Sequence, residues 1–394
     1  MCTQRMPAIL LKSNNDGGVA ERAGDAAVCF NLKMKKTLTI IFKPTSQCNL
    51  RCRYCFAHRN RDLQRAMSET ELSDAIEWAV QYAAERKVDE VVWLWHGGEP
   101  MLVGAVKFRR LTEKVRDSFK RIGLAVVFRI QTNLTLLNQD WIDVFKQSYC
   151  RAIGVSLDFR TGARVDAKGQ NHDDEVLRNI LLLRQNGVHV GVATLVTPQN
   201  IGLVREMYDF YKEYELSFKT MRFFPSTNPM PLELSYATSD QDYAKFLCSL
   251  YDIWTEDDNP RIRVLNLLEM ATGLIRGERR VCSAESGGCY RNYLCIEAGG
   301  EIFNCGRYDA PEHRIGTIYD SPTSIAEAID RRSKRELPPT CLKCSYFHLC
   351  HGGCPFEMET SGRFLDCETT KIVLHHIAND LKSRGIALKV DPCS

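Results

Sequence analysis

Apolar residues recur along this chain in two alternating patterns. Short runs that are apolar at nearly every position alternate with longer stretches in which they return every three to four residues. The first short runs are Leu38-Thr39-Ile40-Ile41-Phe42 and Glu90-Val91-Val92-Trp93-Leu94-Trp95. Four more follow, at 126–130, 152–157, 188–197 (stopped by Pro198) and 219–224. Runs apolar on both faces suit parallel strands covered by helices. Helical spacing predicts helices over 69–86, 104–120, 139–147, 173–185 and 202–214, the first opened by the capping residues Ser68-Glu69-Thr70-Glu71.

Six strand–helix repeats, ending near residue 255, imply a parallel sheet with right-handed crossovers. Six units fall short of the eight of a closed barrel, so the expected class is α/β with a partial (β/α)6 barrel of TIM-like type. Its ligand sites belong at the carboxyl ends of the strands. Residues 1–36 read as an irregular N-terminal extension, 37–255 as the barrel and 256–281 as a bridging segment. Residues 282–370 read as a second domain rich in cysteine and glycine, and 371–394 as a C-terminal helix and tail.

A net charge of +3 over 394 residues gives no argument for nucleic acid or an anionic membrane as a partner. No apolar stretch reaches the ~18 residues of a transmembrane helix, and Met1 to Lys12 lack the pattern of a signal peptide. A cytoplasmic location is expected. The 17 cysteines then point to metal or redox chemistry rather than disulfides.

Eleven of them fall into two groups. Cys48, Cys52 and Cys55 are spaced Cys-x3-Cys-x2-Cys directly after the first strand. Three thiolates without a nearby fourth can hold three irons of a [4Fe–4S] cluster and leave the fourth open for a ligand, whereas electron-transfer clusters are closed by four. Zinc sites show paired Cys-x2-Cys elements closing to four ligands, which this loop lacks. The second strand ends in His96-Gly97-Gly98-Glu99-Pro100, where two glycines allow a ligand close to the backbone and a carboxylate suits an ammonium group. The C-terminal group comprises Cys282 and the runs Cys289-x10-Gly300-x4-Cys305 and Cys341-x2-Cys344-x5-Cys350-x3-Cys354-x12-Cys367. Zinc remains an alternative for this group, because its Cys-x2-Cys and Cys-x3-Cys pairs also suit tetrahedral coordination. The remaining six cysteines, Cys2, Cys29, Cys150, Cys248, Cys295 and Cys393, read mostly as small buried hydrophobes.

On these residues the chain resembles the radical S-adenosylmethionine (SAM) enzymes over residues 38–367, and its C-terminal cysteines resemble the SPASM domain of one subfamily. The resemblance implies that Cys48, Cys52 and Cys55 hold a [4Fe–4S] cluster whose open iron is chelated by SAM. Reductive cleavage of SAM then gives a 5′-deoxyadenosyl radical that abstracts a substrate hydrogen. Gly97, Gly98, Glu99 and Pro100 match the strand end that binds the SAM amino group. Tyr54 matches the aromatic beside the adenine, Asn133 and Ser156 match polar positions lining the SAM site, and Ser156 is the candidate for the ribose. Relatives often carry an arginine early in the fourth helix; here Glu175 stands there, with Arg178 one turn on.

For the SPASM domain the resemblance implies two auxiliary [4Fe–4S] clusters. Cys341, Cys344, Cys350 and Cys367 would hold the outer one. Cys289, Cys305 and Cys354 would hold the inner one, with Cys282 as fourth ligand, Cys295 as its competitor, and an inner cluster with an open iron as the third alternative.

Enzymes of this subfamily mostly modify peptides or proteins. The branch that oxidises a sulfatase cysteine or serine to formylglycine carries an aspartate base directly after the cysteine matching Cys305, where this chain has Gly306. Asp309, three positions further on than Gly306, and His96 are the candidates for proton chemistry. The expected function is therefore a maturase of a ribosomal precursor peptide that forms a C–C or thioether crosslink. Residues 1–37 fall below the roughly 40 of an unaided folded domain, so leader binding is expected of a separate protein or of a barrel groove. The expected electron donor is a flavodoxin or ferredoxin. The alternative within the family is an oxidase of a single protein residue, which Gly306 disfavours in its formylglycine form, or of a small molecule; a non-catalytic iron–sulfur carrier is the alternative of another class.

Overall fold

The structure, a computed structural model, describes residues 35–55, 65–147, 150, 152–223, 225, 231–277, 288–308, 310–334 and 336–390. Among these, nine strands form one sheet in the order β6-β5-β4-β3-β2-β1-β7-β8-β9. The first six are β1 (Thr37–Phe42), β2 (Glu90–Trp95), β3 (Ala125–Thr132), β4 (Ala152–Ser156), β5 (Val190–Val196) and β6 (Phe218–Arg222). All five neighbouring pairs among them are parallel.

The helices between them are α1 (Glu69–Arg86), α2 (Ala105–Lys120), α3 (Gln139–Lys146), α4 (Asp173–Gln185) and α5 (Val204–Glu213). In α1 the Ser68 side chain accepts from Glu71 N–H, and the Glu71 carboxylate accepts from Ser68 N–H, closing the expected capping box.

Alternation along the strands sorts the two faces. Leu38, Ile40 and Phe42 of β1 and Val91, Trp93 and Trp95 of β2 join the main core beneath the helices. Ile41 and Leu94 face the other way, against Cys295, Cys305, Phe356 and Cys354. Phe42 packs on Trp93 and Trp95 with ring centroids 4.8 and 5.5 Å apart. Each such buried side chain contributes about 1.5–3 kcal/mol.

The sequence pattern ended the sheet at six strands, and the structure extends it. β7 (Tyr293–Ile296) lies parallel to β1, with Ile41 opposite Cys295. β8 (Glu301–Phe303) and β9 (Gly316–Thr317) follow antiparallel. The C-terminal cysteine region is thus hydrogen-bonded to the free edge of β1. The bridging stretch carries α7 (Leu265–Arg276), after α6 (Asp240–Asp257), and α8 (Pro322–Arg332) packs on α1. The last helix, α9 (Cys367–Ser383), begins at a predicted cluster ligand and packs on α6 and α7. Among the described residues no helix is long and apolar enough to cross a membrane.

Candidate active site at the strand ends

The cysteine loop leaves β1 at Lys43 and lies across the ends of its neighbours. Backbone bonds clamp it on two sides. Gly98 N–H donates to Thr45 O (3.1 Å) and Glu99 N–H to Gln47 O (2.8 Å). Opposite, Arg51 N–H donates to Val165 O (2.6 Å) and Arg53 N–H to Ala163 O (2.9 Å). The glycines are needed for this clamp. A Cβ on Gly97 would lie 2.2 Å from Thr45 O, and one on Gly98 would lie 2.1 Å from Gln47 O. Gly97 also has φ +134°, a conformation that side chains disfavour.

The carboxylate of Glu99 is engaged within the chain. It is 1% exposed and accepts from Met101 N–H (2.9 Å), the Thr132 hydroxyl (2.7 Å) and Asn133 N–H (2.7 Å). Burial nevertheless raises its pKa. Three donors are the normal cost of burying such a group. The sequence argument offered this carboxylate to an ammonium; in the structure it staples the end of β2 to that of β3. Pro100 opens the single helical turn that follows.

Asn133 is tied in as tightly. Its amide donates to Asn49 Oδ1 (3.0 Å) and lies 3.7 Å from Cys48 Sγ, while its carbonyl accepts from Thr135 N–H and Oγ1. Ser156 accepts from Gln131 Nε2 at 3.0 Å. His96 Nδ1 accepts from Gly97 N–H at 2.8 Å. Burial, with the Lys43 charge adding to it, lowers the His96 pKa to about 4. Arg178 lies exposed on α4. Asp309 and Cys282 lie outside the described residues.

Tyr54 donates to Asp158 Oδ2 at 2.5 Å, and the other Asp158 oxygen accepts from Leu195 N–H at 2.9 Å. Arg164 joins this buried group with its side chain 2% exposed. Its Nε stands 3.3 Å from Asp173 Oδ1, close enough for an ion pair but without hydrogen-bond geometry. The sequence reading missed Asp158 and Arg164. Asp158, two residues past Ser156 on the same strand end, was the available signal; nothing local marked Arg164. Lys43 was legible in principle, since it continues the inward alternation of Thr39 and Ile41. It is 8% exposed, ion-paired with Glu297, and donates to Gly306 O at 3.4 Å.

The thiols fit an iron–sulfur cluster by the chemistry of the donor set. Cys48 Sγ accepts from Leu50 N–H at 3.4 Å. Burial, with neighbouring thiols adding to it, pushes Cys48 up to about 11 and Cys52 to about 12. Such thiols stay protonated until a metal displaces the proton. Among the described residues no three His, Cys, Asp or Glu converge as ligands of a single ion. Ligands of a cluster bind different irons, so that convergence is not required of them.

In the C-terminal region Cys289, Cys305 and Cys354 line one cavity of about 350 Å³ between β6 and the cysteine-rich domain. Arg307 donates to Cys354 Sγ at 3.2 Å. Cys367 at the start of α9 is in electrostatic reach of Cys341 and Cys344. Three of the residues assigned to the inner set thus share a cavity, and three of the four assigned to the outer set lie near one another. Cys295 is fully buried on β7 against Ile41.

Residues 42–211 match the model of the radical SAM superfamily. The cysteine-type anaerobic sulfatase-maturating enzyme of Clostridium novyi is 28% identical over 340 residues, covering 81% of this chain and 88% of that protein. The serine-type enzyme of Bacteroides thetaiotaomicron is 24% identical over 355 residues, covering 81% and 83%. Among solved structures, native anSMEcpe with bound AdoMet and the Cp18Cys peptide superposes with a TM-score of 0.76 at 23% identity, covering 88% of this chain and 98% of that one. SuiB of Streptococcus suis bound to its precursor peptide SuiA gives 0.60 at 17%, covering 85% and 76%.

Residues 42–211 are a radical SAM domain in a parallel α/β fold with a C-terminal extension, and the chain is an enzyme. Its cofactors are SAM and [4Fe–4S] clusters.

Proposed function

We propose that this enzyme modifies a ribosomally made peptide by joining two of its residues through a C–C or thioether bond, rather than by oxidising one residue to an aldehyde. The observation carrying this reading is at Gly306. A Cβ there would lie 3.5 Å from Ile41 Cδ1 and 3.7 Å from Lys43 Cε, so a side chain has room and would face an ammonium group. That ammonium is held by Glu297 and by Gly306 O. A lysine–glutamate pair therefore lies beside Gly306, the position to which the resemblance assigns the aspartate base of the formylglycine-forming branch. A peptide substrate is supported by the relatives, which are named as sulfatase-maturating enzymes or solved with peptides bound.

Cys48, Cys52 and Cys55 would hold the SAM-binding cluster. Gly97, Gly98, Glu99, Pro100, Tyr54, Asn133, Ser156 and Arg178 would form the SAM site. Bound there, the cofactors supply the radical that takes a hydrogen from the substrate. The chain's own residues fix the loop against three strand ends and line the space between β6 and the C-terminal domain. Cys289, Cys305 and Cys354, with Cys282 or Cys295, would hold the inner auxiliary cluster; Cys341, Cys344, Cys350 and Cys367 would hold the outer one. A flavodoxin or ferredoxin would supply electrons, and a separate protein or a groove of the barrel would bind the leader.

The test is anaerobic reconstitution, expected to give about twelve irons per chain if all three clusters are [4Fe–4S]. Dithionite should then cleave SAM, and Cys52→Ala should abolish that cleavage. A precursor peptide encoded beside the gene should lose hydrogen mass and show a gap in its fragment ladder between the joined residues. A cysteine-containing sulfatase peptide should come back unchanged. An aldehyde on that cysteine would overturn the crosslinking reading, and tightly bound zinc without SAM cleavage would overturn the enzyme class.

A further inference from the structure

We infer that Arg307 is a positioning residue for the inner auxiliary cluster, and that its charge makes this cluster easier to reduce. The inference rests on assigning Cys289, Cys305 and Cys354 to that cluster. Arg307 follows Cys305 by two residues, and its guanidinium is fixed by three contacts. Nη1 donates to Cys354 Sγ at 3.2 Å and to Glu357 Oε1 at 2.8 Å, and the guanidinium lies over the Phe356 ring, 5.1 Å from its centroid. Glu357 is itself held: its side chain is 4% exposed and its second oxygen accepts from Leu365 N–H at 2.9 Å. A planar cation is therefore locked onto one ligand sulfur by a buried carboxylate and an aromatic face.

The outer set is served differently. The cation near Cys367 is Lys371, which bonds Glu368 on an exposed stretch of α9 at 2.8 Å. An exposed pair of this kind is solvent-screened and weakly held.

Hydrogen bonds to the sulfurs, net charge and solvent exposure set the potential of an iron–sulfur cluster. One electron taken from a one-electron donor such as dithionite adds one negative charge to the cluster. A cation bonded to a ligand sulfur favours the reduced form over the oxidised one. Glu357 fixes the guanidinium but partly offsets its charge, so the two residues act on the potential with opposite sign.

The experiment uses the full chain carrying Cys48→Ala, Cys52→Ala and Cys55→Ala, so that the C-terminal clusters are the ones titrated. Iron and sulfide are counted, and the clusters are reduced stepwise with dithionite under electron paramagnetic resonance. Arg307→Gln should lower the reduced-to-oxidised ratio of one cluster about tenfold at fixed potential, a shift of about −59 mV for one electron, and leave the other in place. Glu357→Gln should shift the same cluster the opposite way, and Arg307→Lys should retain most of the parental value. If Arg307→Gln loses iron, the Glu357→Gln shift decides by its sign. Shifts of the same sign in both variants, or none in either, would overturn the role of Arg307. A parent without C-terminal iron would instead overturn the cluster assignment.

Discussion

Gly98 and Gln47 are in backbone contact so close that no side chain fits between them: a Cβ on Gly98 would stand 2.1 Å from the Gln47 carbonyl oxygen. This approach joins the Gly-Gly-Glu end of β2 to the cysteine loop. The two motifs are one structural unit, 51 residues apart in the chain (98 − 47).

Gly98→Ala should therefore displace the loop rather than merely crowd a ligand site. The neighbour is backbone and cannot swing away. The variant should keep its C-terminal iron, lose the share held by Cys48, Cys52 and Cys55, and lose SAM cleavage. Iron quantitation beside the parent checks this; full iron with normal cleavage would refute the clamp.

Glu99→Gln keeps shape and removes one acceptor. Oε1 accepts from Met101 N–H and the Thr132 hydroxyl, and Oε2 accepts from Asn133 N–H. Either orientation of the amide sets NH₂ against a backbone donor. A buried unmatched donor costs about 1–3 kcal/mol. Denaturant unfolding should show a loss of that size, and a change near zero would mean that the carboxylate is not a staple.

His96 gives stability a pH dependence. Its folded pKa, about 4, lies below the ordinary 6.5, so between these values the unfolded chain binds more protons. Stability from this residue is present above 6.5 and is lost as pH falls towards 4, by up to about 1.4 kcal/mol per pH unit. His96→Asn can keep an acceptor for Gly97 N–H and has no titrating ring. Subtracting its unfolding curve from the parent's across pH 4 to 6.5 isolates the term. Burial raises Asp173 to about 6, which gives an opposite slope, but Asp173 is present in both proteins and cancels. Identical slopes in the two proteins would remove His96 from the account.

Tyr54→Phe should leave the buried Asp158 without its phenolic donor. The remaining Leu195 N–H serves the other oxygen. The expected loss is again about 1–3 kcal/mol, accompanied by weaker retention of iron in the adjoining loop. Unchanged melting and iron content would show that Leu195 N–H and the nearby Arg164 charge suffice for Asp158.

The sequence by itself determined the local elements. The helices at 69–86 and 173–185 and the strand at 90–95 were predicted with the bounds the structure has. Their signals are hydrophobic period, caps and breakers, all contained in a few neighbouring residues. The three-cysteine loop and its place after β1 were legible for the same reason.

Tertiary structure decided how these pieces meet. The pairing of β7 with β1 carries the C-terminal cysteines onto the free edge of the sheet, and no periodicity encodes which distant strand will pair. The service of Gly97 and Gly98 to the loop backbone, the burial of Arg164 beside Asp158, and the Lys43–Glu297 pair facing Gly306 likewise depend on groups far apart in the chain. Whether a charge is buried, and which partner offsets the cost, is a property of the packed interior rather than of the residue's neighbours along the chain.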